Sequence, residues 1–227
     1  MRWRRYAIYA LPEGPLGAAG AAWLGWDARA GRRMPQPDVA GLPRTAAELT
    51  DRPRRYGFHA TIKPPFRLAQ GRGEQELVES FDAFCAGTPA GQADGLAVSA
   101  LGPFLALRPE GDGRDLARVA AAAVESLDPF RAPPSDADLD RRRAAGLTAR
   151  QERLLTRWGY PYVMEEFRFH VTLTGPLPEA ERRQAQAALA AHFAPVLPRP
   201  YRLDALALLG EDAEGRFHAI HESALSG

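Results

Sequence analysis

The sequence is poor in cysteine and in long apolar runs, and both shortages limit what the protein can be. Cys85 is the only cysteine among 227 residues, which excludes an internal disulfide, a cysteine-based zinc site and an iron–sulfur cluster. No stretch approaches the roughly 20 apolar residues of a membrane-spanning helix. The apolar run near the N-terminus is shorter than a secretory signal needs. We therefore expect a cytoplasmic protein, with Cys85 buried as a small hydrophobic residue.

Net charge and lysine are also scarce. The 29 basic and 28 acidic residues leave a formal net charge of +1, which argues against a uniformly basic surface for long nucleic acid. A local basic pocket stays possible. Lys63 is the only lysine, so every other basic side chain is an arginine. Glycine (21) and proline (20) are frequent but below low-complexity levels, which indicates a folded chain with many turns.

Apolar periodicity predicts a mixed order of helices and strands. We expect strands at 4–11, 57–68 and 166–175; helices at 16–26, 73–86, 113–127 and 178–194; a hairpin at 94–109; an irregular connection at 31–55; a polar helical segment at 135–158; and a closing hairpin at 201–209 and 216–223. Ser135 is a good helix N-cap, and Thr148 with Gln151 forms a capping-box pattern. This order predicts an α+β fold with mostly antiparallel pairing.

A short motif occurs twice. FHATI at 58–62 and FHVTL at 169–173 both read aromatic, His, small or β-branched, Thr, aliphatic, and they lie about half the chain apart. Each copy is followed by a helical segment and an apolar hairpin. The simplest interpretation is two similar lobes that each contribute one strand to a shared centre.

Strand alternation predicts which side chains of the two motifs face together, because residues two apart share a face. The apolar residues of both copies should face the core. The polar faces should meet if the lobes are related by a pseudo-twofold axis. Those faces carry Gly57, His59, Thr61 and Lys63 in the first copy, and Arg168, His170, Thr172 and Thr174 in the second.

Two imidazoles, two or more hydroxyls and two cations fit metal-free phosphodiester cleavage, above all the opening of a cyclic phosphate. One histidine can act as general base and the other as general acid. Thr hydroxyls can bind phosphoryl oxygens, and Lys63 and Arg168 can neutralise charge in the transition state. No carboxylate lies on either predicted face, so neither a metal nor a cofactor is suggested. Arg55 and Tyr56 flank the first motif and are further candidates for contact with the substrate.

The sequence resembles the 2H phosphoesterase superfamily, which includes the RNA 2′,3′-cyclic phosphodiesterases. Longer matches at 54–66, 127–131 and 157–170 are similar to one bacterial branch, the phosphonate-metabolism proteins often encoded beside carbon–phosphorus lyase components. This resemblance implies one bilobal α+β domain over residues 1–227, with two pseudo-symmetric lobes, each with an antiparallel sheet and helices, and a central cleft between them. It implies that His59 and His170 are catalytic and that Thr61 and Thr172 bind phosphate. The helical segment at about 131–158 is then an insertion relative to compact members of the superfamily, and whether it caps the cleft stays open at this stage.

The resemblance implies a metal-independent enzyme that opens a small cyclic phosphodiester, on a ribose or nucleotide, in phosphonate metabolism. Two alternatives stay open at this stage: an RNA 2′,3′-cyclic phosphodiesterase, and a non-catalytic protein that binds a phosphorylated ligand. The expected partner is a small phosphorylated substrate, neither a membrane nor long nucleic acid. We also expect kcat/KM to have a bell-shaped pH dependence around neutrality, with Lys63 and Arg168 lowering the pKa values of both histidines and bound phosphate raising them.

Overall fold

The computed structural model describes residues 3–226. Its strands are β1 (Tyr6–Ala10), β2 (Trp26–Asp27), β3 (Arg32–Arg33), β4 (Ala60–Phe66), β5 (Gly91–Ala93), β6 (Gly95–Leu101), β7 (Phe104–Glu110), β8 (Val171–Thr172), β9 (Tyr201–Leu203), β10 (Ala205–Glu211) and β11 (Phe217–Ala224). Its α-helices are α1 (Gly14–Leu24), α2 (Ala46–Leu49), α3 (Glu74–Ala86), α4 (Arg114–Ser126), α5 (Asp136–Arg143), α6 (Ala149–Trp158) and α7 (Glu179–Phe193). Short 3-10 turns lie between them, one of them at Pro53–Tyr56 just before the first motif.

A seven-stranded sheet forms the centre of the protein, in the order β11-β10-β1-β4-β8-β7-β6. Every neighbouring pair in it is antiparallel. The two motif strands, β4 and β8, are direct neighbours in the middle of the sheet. The predicted α+β class with antiparallel pairing is therefore confirmed.

The sheet differs from the expectation of a separate sheet in each lobe. The hairpin β6–β7 follows the first motif along the chain but pairs with β8. The hairpin β10–β11 follows the second motif but joins β1, which pairs with β4. The hairpin of each half of the sequence therefore lies on the other half's side of the centre, where β4 pairs with β8.

One face of this sheet is buried in the main core. The apolar residues of both motifs lie there, and each is at most 5% exposed: Phe58, Ala60, Ile62, Phe169, Val171 and Leu173. Helices α3, α4 and α7 pack against the same cluster through Leu77, Leu116 and Leu189. The other face carries a smaller apolar cluster around Tyr9 and Phe217, beside the polar residues of the motifs. The predicted division of the motifs into an apolar and a polar face is correct for their central residues.

The polar segment at 131–158 folds as the two helices α5 and α6, and both begin as their caps predict. The Ser135 side chain accepts a hydrogen bond from the Asp138 backbone, and Thr148 and Gln151 form the reciprocal capping box. Helix α6 ends at Gly159, whose φ of 72° disfavours other residues. Leu154 packs with Val124 and Val163 in a small cluster. This contact holds α6 against the end of α4.

Two predicted strands are shorter or more divided than expected. Of residues 166–175, only β8 belongs to the sheet, and a 3-10 turn occupies Met164–Glu166. The expected strand at 201–209 divides at Asp204 into β9, which pairs with β5 in a separate two-stranded sheet, and β10.

None of the helices in residues 3–226 combines the length and the apolar character that crossing a membrane requires.

Candidate active site

The register of the central strands brings the two motifs face to face. Ala60 is paired with Val171 in the antiparallel ladder between β4 and β8. One residue to either side, His59 therefore stands opposite Thr172, and Thr61 opposite His170. Directly paired residues of antiparallel strands share a face and lie about 4.5–5.5 Å apart at Cβ. The two histidines and two threonines therefore form one compact polar group.

Neighbouring strands add two residues to this group. Tyr9 on β1 is paired with Thr61. On β7, Ala106 and Leu107 pair with Thr172 and Val171, so Arg108 stands opposite His170. We refer to the six residues as the histidine face: Tyr9, His59, Thr61, Arg108, His170 and Thr172. All but Tyr9 are partly exposed, so the face can be reached from solvent.

The imidazole of His59 is held on three sides. Its Nδ1 donates to the carbonyl oxygen of Gly57 at 2.9 Å, and its Nε2 lies 3.1 Å from the Thr61 hydroxyl. The ring stacks on Tyr9 with a centroid distance of 3.7 Å. Because a carbonyl only accepts, Nδ1 carries the proton and Nε2 of the neutral ring carries the lone pair.

Gly57 is needed in the backbone that orients His59. Its φ is 75°, and a Cβ at this position would lie 2.7 Å from the Cβ of Ala28. A side chain there would meet both backbone strain and a clash. The carbonyl group that fixes the ring of His59 therefore depends on glycine.

His170 is oriented in the same way. Its Nδ1 donates to the carbonyl oxygen of Arg168 at 2.6 Å, which leaves the Nε2 lone pair of the neutral ring for other partners. Phe104 lies beside the ring at a centroid distance of 5.9 Å. Both histidines thus use Nδ1 for a backbone carbonyl two residues before them, and Nε2 of each neutral ring carries the lone pair.

Burial lowers the pKa of both imidazoles. For His59, burial outweighs the Gly57 hydrogen bond, and the nearby His170 adds to the effect, so its pKa falls to about 4. For His170, burial again comes first, and the positive charge of Arg108 also lowers the pKa. At neutral pH the free protein therefore holds both rings largely neutral.

Lys63 is not on the histidine face, contrary to the strand alternation. The β1–β4 register shifts between Tyr9 and Ile8, so that Ile8 pairs with Lys63. This bulge turns Lys63 into the core, where it is 1% exposed. Its Nζ donates to the carbonyl oxygen of Val124 at 3.0 Å and lies 3.3 Å from Asp128. A bulge adds one residue to one strand and reverses the faces beyond it.

Arg168 and Thr174, which were also predicted on the polar face, form their hydrogen bonds with nearby backbone groups instead. The Arg168 guanidinium donates to the backbone carbonyls of Glu165 and Phe167, next to it in the chain. Thr174 is 1% exposed and binds the backbone of Leu105 and Gly175. The cation that the structure places beside the histidines is Arg108. Only the pairing of β7 with β8 reveals it, and no local pattern in the sequence points to it.

Arg55 and Tyr56 lie beside the histidine face, at the edge of a larger cavity. The Tyr56 ring is 6.1 Å from the ring of His59 and stacks on Phe217. Arg55 and Tyr56 both line a cavity of about 550 Å³ between the end of β4 and the segment that contains α5. Tyr9, which stacks on His59, has a pKa raised by burial first and then by the nearby phenol of Tyr56. Sequence reasoning did not single out Tyr9, although it recognised the strand that carries it.

The remaining histidines lie outside the face. His218 and His221 contact Asp212 and Asp82, each at 2.8 Å, and therefore do not act together. Over residues 3–226, His, Cys, Asp and Glu side chains do not gather in threes in a way that would hold a metal ion.

A protein-family model described as "protein of unknown function (DUF1045)" matches residues 61–218, which is more than half of the chain. The chain belongs to this family. The match begins at Thr61 and includes the whole second motif. This membership, together with the pairing of the two motif strands, confirms the family resemblance that the two motifs and the stretches at 54–66, 127–131 and 157–170 indicated.

Two curated relatives carry the name ribose 1,5-bisphosphate phosphokinase PhnN. The protein from Janthinobacterium sp. (strain Marseille) is 41% identical over 221 residues, which cover 93% of this chain and 48% of that protein. The protein from Laribacter hongkongensis (strain HLHK9) is 38% identical over 220 residues, which cover 93% and 49%. The chain thus spans about half the length of the curated relatives it matches.

Solved structures similar to the DUF1045 chain along its whole length include a phosphoesterase, with 15% identity and a TM-score of 0.45. Escherichia coli LigT in its apo form also aligns over the whole of both chains, with 15% identity and a TM-score of 0.47. Nothing about activity or substrate follows from likenesses at this level.

Proposed function

We propose that this DUF1045 chain is a metal-independent phosphodiesterase that opens a small cyclic phosphodiester of a ribose or a nucleotide. The observation that carries the proposal is the register of β4 against β8, with each histidine opposite the threonine of the other motif. Both Nδ1 atoms bind backbone carbonyls, so in the neutral rings both Nε2 atoms carry a lone pair that can accept a proton, with that of His59 beside the Thr61 hydroxyl. Two such groups on one face can serve the attacking and leaving oxygens of one phosphorus atom.

In the proposed reaction, Nε2 of one histidine removes a proton from water as the water oxygen attacks phosphorus. The bond from phosphorus to one ester oxygen breaks, and Nε2–H of the other histidine protonates that oxygen. The product is a phosphomonoester with a free hydroxyl. We assign His59 as the base, because its pKa of about 4 keeps the ring unprotonated at neutral pH even beside a positively charged His170. His170 is then the acid, and the bound phosphate raises its pKa.

The threonines and Arg108 would bind the phosphoryl oxygens. Thr61 and Thr172 each offer a hydroxyl next to a histidine, and Arg108 offers the guanidinium on this face. As negative charge builds on the equatorial oxygens, these donors stabilise it more strongly than in the ground state. The hydroxyls and imidazoles of the face are a poor set for Mg²⁺, which prefers several oxygen ligands and carboxylates above all.

A kinase reaction, as in the name of the curated relatives, is not proposed for this chain. The chain corresponds to about half of each relative. Its sequence contains no Gly-rich phosphate-binding loop of the P-loop type. The shared name does refer to a phosphorylated ribose, and this supports a ribose phosphate as the substrate class.

The test is turnover of 2′,3′-cyclic nucleotides, cyclic ribose phosphates and RNA oligonucleotides with cyclic ends, each with and without a chelator. We expect hydrolysis of the small cyclic phosphates in chelator. His59→Ala and His170→Ala should each lower kcat by about 10²–10⁴-fold. The double variant should be little worse than either single one, because the residues act as a unit. His221→Ala is the control, a strand histidine paired with Leu208 on the core side of the sheet.

Full activity in either single histidine variant would end the proposal. Activity that is lost in chelator and restored by a divalent ion would assign the chemistry to a metal. A strong preference for RNA ends would favour the RNA-processing alternative. Tight binding without any turnover would favour a ligand-binding protein.

A further inference from the structure

The cavity beside the histidine face has a very unequal charge. Six arginines line it and only one carboxylate does, which belongs to Asp138. The arginines come from distant parts of the chain: Arg5, Arg55, Arg67, Arg131, Arg141 and Arg142. Such a concentration is unexpected in a chain whose formal net charge is +1. We call this space the arginine cavity.

Four of these arginines have acidic partners. Arg5 forms a bidentate salt bridge with Glu211, and Arg131 forms one with Asp128. Arg67 and Arg141 share the single carboxylate of Asp138, at 3.1 and 2.6 Å. Three carboxylates therefore face these four guanidinium groups, so even this part of the lining keeps a positive charge.

The other two arginines have no such partner. Over residues 3–226, neither Arg55 nor Arg142 forms an ion pair with a carboxylate. Arg142 lies over the Tyr160 ring, 4.4 Å from its centroid, and Arg55 is exposed. The cavity thus holds an excess of about three positive charges, of which two belong to unpaired guanidinium groups. Guanidinium groups bind phosphate in bidentate geometry, so two unpaired arginines favour a ligand with several anionic oxygens.

The arginine cavity is next to the histidine face. Tyr56 lines the cavity, and its ring is 6.1 Å from the ring of His59. After burial, the nearby phenols of Tyr56 and Tyr160 raise the pKa of Tyr9, while Arg5 lowers it. Tyr9 therefore lies close enough to the cavity-lining residues Arg5 and Tyr56 for their charges to act on it, and its ring stacks on His59. A molecule that reached from one space to the other would pass Tyr56.

We propose that the arginine cavity binds a phosphomonoester group of the same substrate whose cyclic phosphodiester lies at His59 and His170. The substrate class is then a sugar or nucleoside that carries both a cyclic phosphate and a separate terminal phosphate. This rests on the proposed function. A phosphomonoester carries about −1.5 to −2 charges and three acceptor oxygens at neutral pH, which matches the two unpaired guanidinium groups of Arg55 and Arg142. A volume of about 550 Å³ is in the range of small-molecule sites.

The kinetic test compares adenosine 2′,3′-cyclic phosphate with the same compound bearing a 5′-phosphate. We expect the wild-type protein to prefer the 5′-phosphorylated compound in kcat/KM by about tenfold or more, the usual effect of one or two charge-assisted contacts. Arg55→Gln and Arg142→Gln should each reduce that preference by about tenfold, mainly through KM. Arg153→Gln is the matched control, an exposed arginine on α6 outside the cavity lining, and should leave both rates unchanged.

The binding test does not depend on turnover. Calorimetric titration should show ribose 5-phosphate, but not ribose, binding to wild type and to the His59→Ala/His170→Ala double variant with similar affinity. Arg142→Gln should weaken this binding by about tenfold or more. If Arg142→Gln lowers the melting temperature, Arg55→Gln is the variant to interpret, because Arg55 is exposed and its substitution should not disturb the fold.

The two tests distinguish failure of the proposed phosphodiesterase activity from failure of the proposed phosphate site. Binding of ribose 5-phosphate that depends on Arg55 and Arg142, without hydrolysis of any cyclic phosphate, would overturn the phosphodiesterase and keep the phosphate site. Hydrolysis without a preference for the 5′-phosphorylated compound, or binding insensitive to both arginine variants, would overturn the phosphate site. Equal losses in Arg153→Gln would also overturn it.

Discussion

His59 is the most informative single residue of the histidine face. Its ring is fixed by the Gly57 carbonyl, the Thr61 hydroxyl and the stacked ring of Tyr9. These contacts bury the ring, and burial is the main reason why its pKa falls to about 4. Packing and acid–base properties are thus coupled in one side chain.

The lowered histidine pKa values predict an acidic pH optimum for kcat/KM. A base must be neutral, so activity should rise with pH through about 4, the pKa of His59. An acid must be protonated, so activity should fall as pH rises through the pKa of His170, which lies below its usual 6.5. In kcat, the falling limb should move to higher pH, because bound phosphate stabilises the imidazolium. A pH–rate profile of both constants measures these limbs.

A variant of Arg108 identifies the group behind the falling limb. Since Arg108 lowers the pKa of His170, Arg108→Gln should move the falling limb of kcat/KM to higher pH, whereas Arg153→Gln should not. An optimum of kcat/KM above neutrality in the wild type would contradict the assignment of His170 as the acid.

The threonine hydroxyls carry a second prediction for single residues. Thr61→Val and Thr172→Val keep the β-branched shape and remove one hydroxyl each. If the hydroxyls stabilise the transition state, each change should cost about 1–3 kcal/mol in kcat/KM, with little change in melting temperature. Steady-state kinetics and thermal unfolding together decide the question. A lower melting temperature with unchanged kinetics would make these threonines structural.

At the scale of elements, β4 shows where strand alternation predicts the facing of side chains correctly and where it fails. Its residues before the bulge face as predicted, with Ala60 in the core and Thr61 on the histidine face. After the register shift at Ile8, Lys63 lies on the core side instead. The shift depends on how β4 pairs with β1, about 50 residues away along the chain. A reading of β4 alone cannot detect it.

The position of Lys63 predicts a structural role with a pH signature. Burial lowers its pKa to about 8 from the usual 10.5, although Asp128 opposes this. Between these values the unfolded chain holds a proton that the folded protein has released, so the free energy of unfolding should rise with pH. The rise should be about 3 kcal/mol over this window and absent in Lys63→Met.

The measurement is denaturant unfolding of wild type and Lys63→Met from pH 7 to 10.5. Taking the difference between the two proteins cancels the other titrating groups, among them the buried Tyr9. The kcat/KM of Lys63→Met should stay within about threefold of wild type. A loss of activity beyond a hundredfold with unchanged stability would place Lys63 in the chemistry after all.

For the whole molecule, the central feature is the exchange of the two sequence halves across one sheet. The hairpin after each motif pairs on the side of the other motif strand. Both motif strands therefore lie in the middle of the sheet, with neighbours on each side. This central position makes the site stiff, because every strand that carries a functional group is held at both edges.

The relation to the longer relatives gives the prediction at this scale. The DUF1045 chain spans about half of each and lacks a P-loop. With ATP and ribose 1,5-bisphosphate, the purified chain should therefore show no phosphoryl transfer above background, while it hydrolyses cyclic phosphates. A radiolabelled ATP assay provides the measurement. ATP-dependent transfer that survives His59→Ala would mean that a kinase site exists in this half.

The sequence by itself determined the features that depend on local order. The repeated motif, the split of each copy into an apolar and a polar face, the helix caps at Ser135 and Thr148, and the identity of His59 and His170 as the candidate pair all follow from short-range periodicity and side-chain chemistry. Other features depend on pairing between distant segments and emerge only in the folded protein. The β4–β8 register, the bulge that buries Lys63, the placement of Arg108 beside His170 and the gathering of six arginines around one cavity are of this kind. Hydrogen-bond register and charge clustering depend on which strands and loops meet, and the residues of one strand alone do not specify which strand pairs with it.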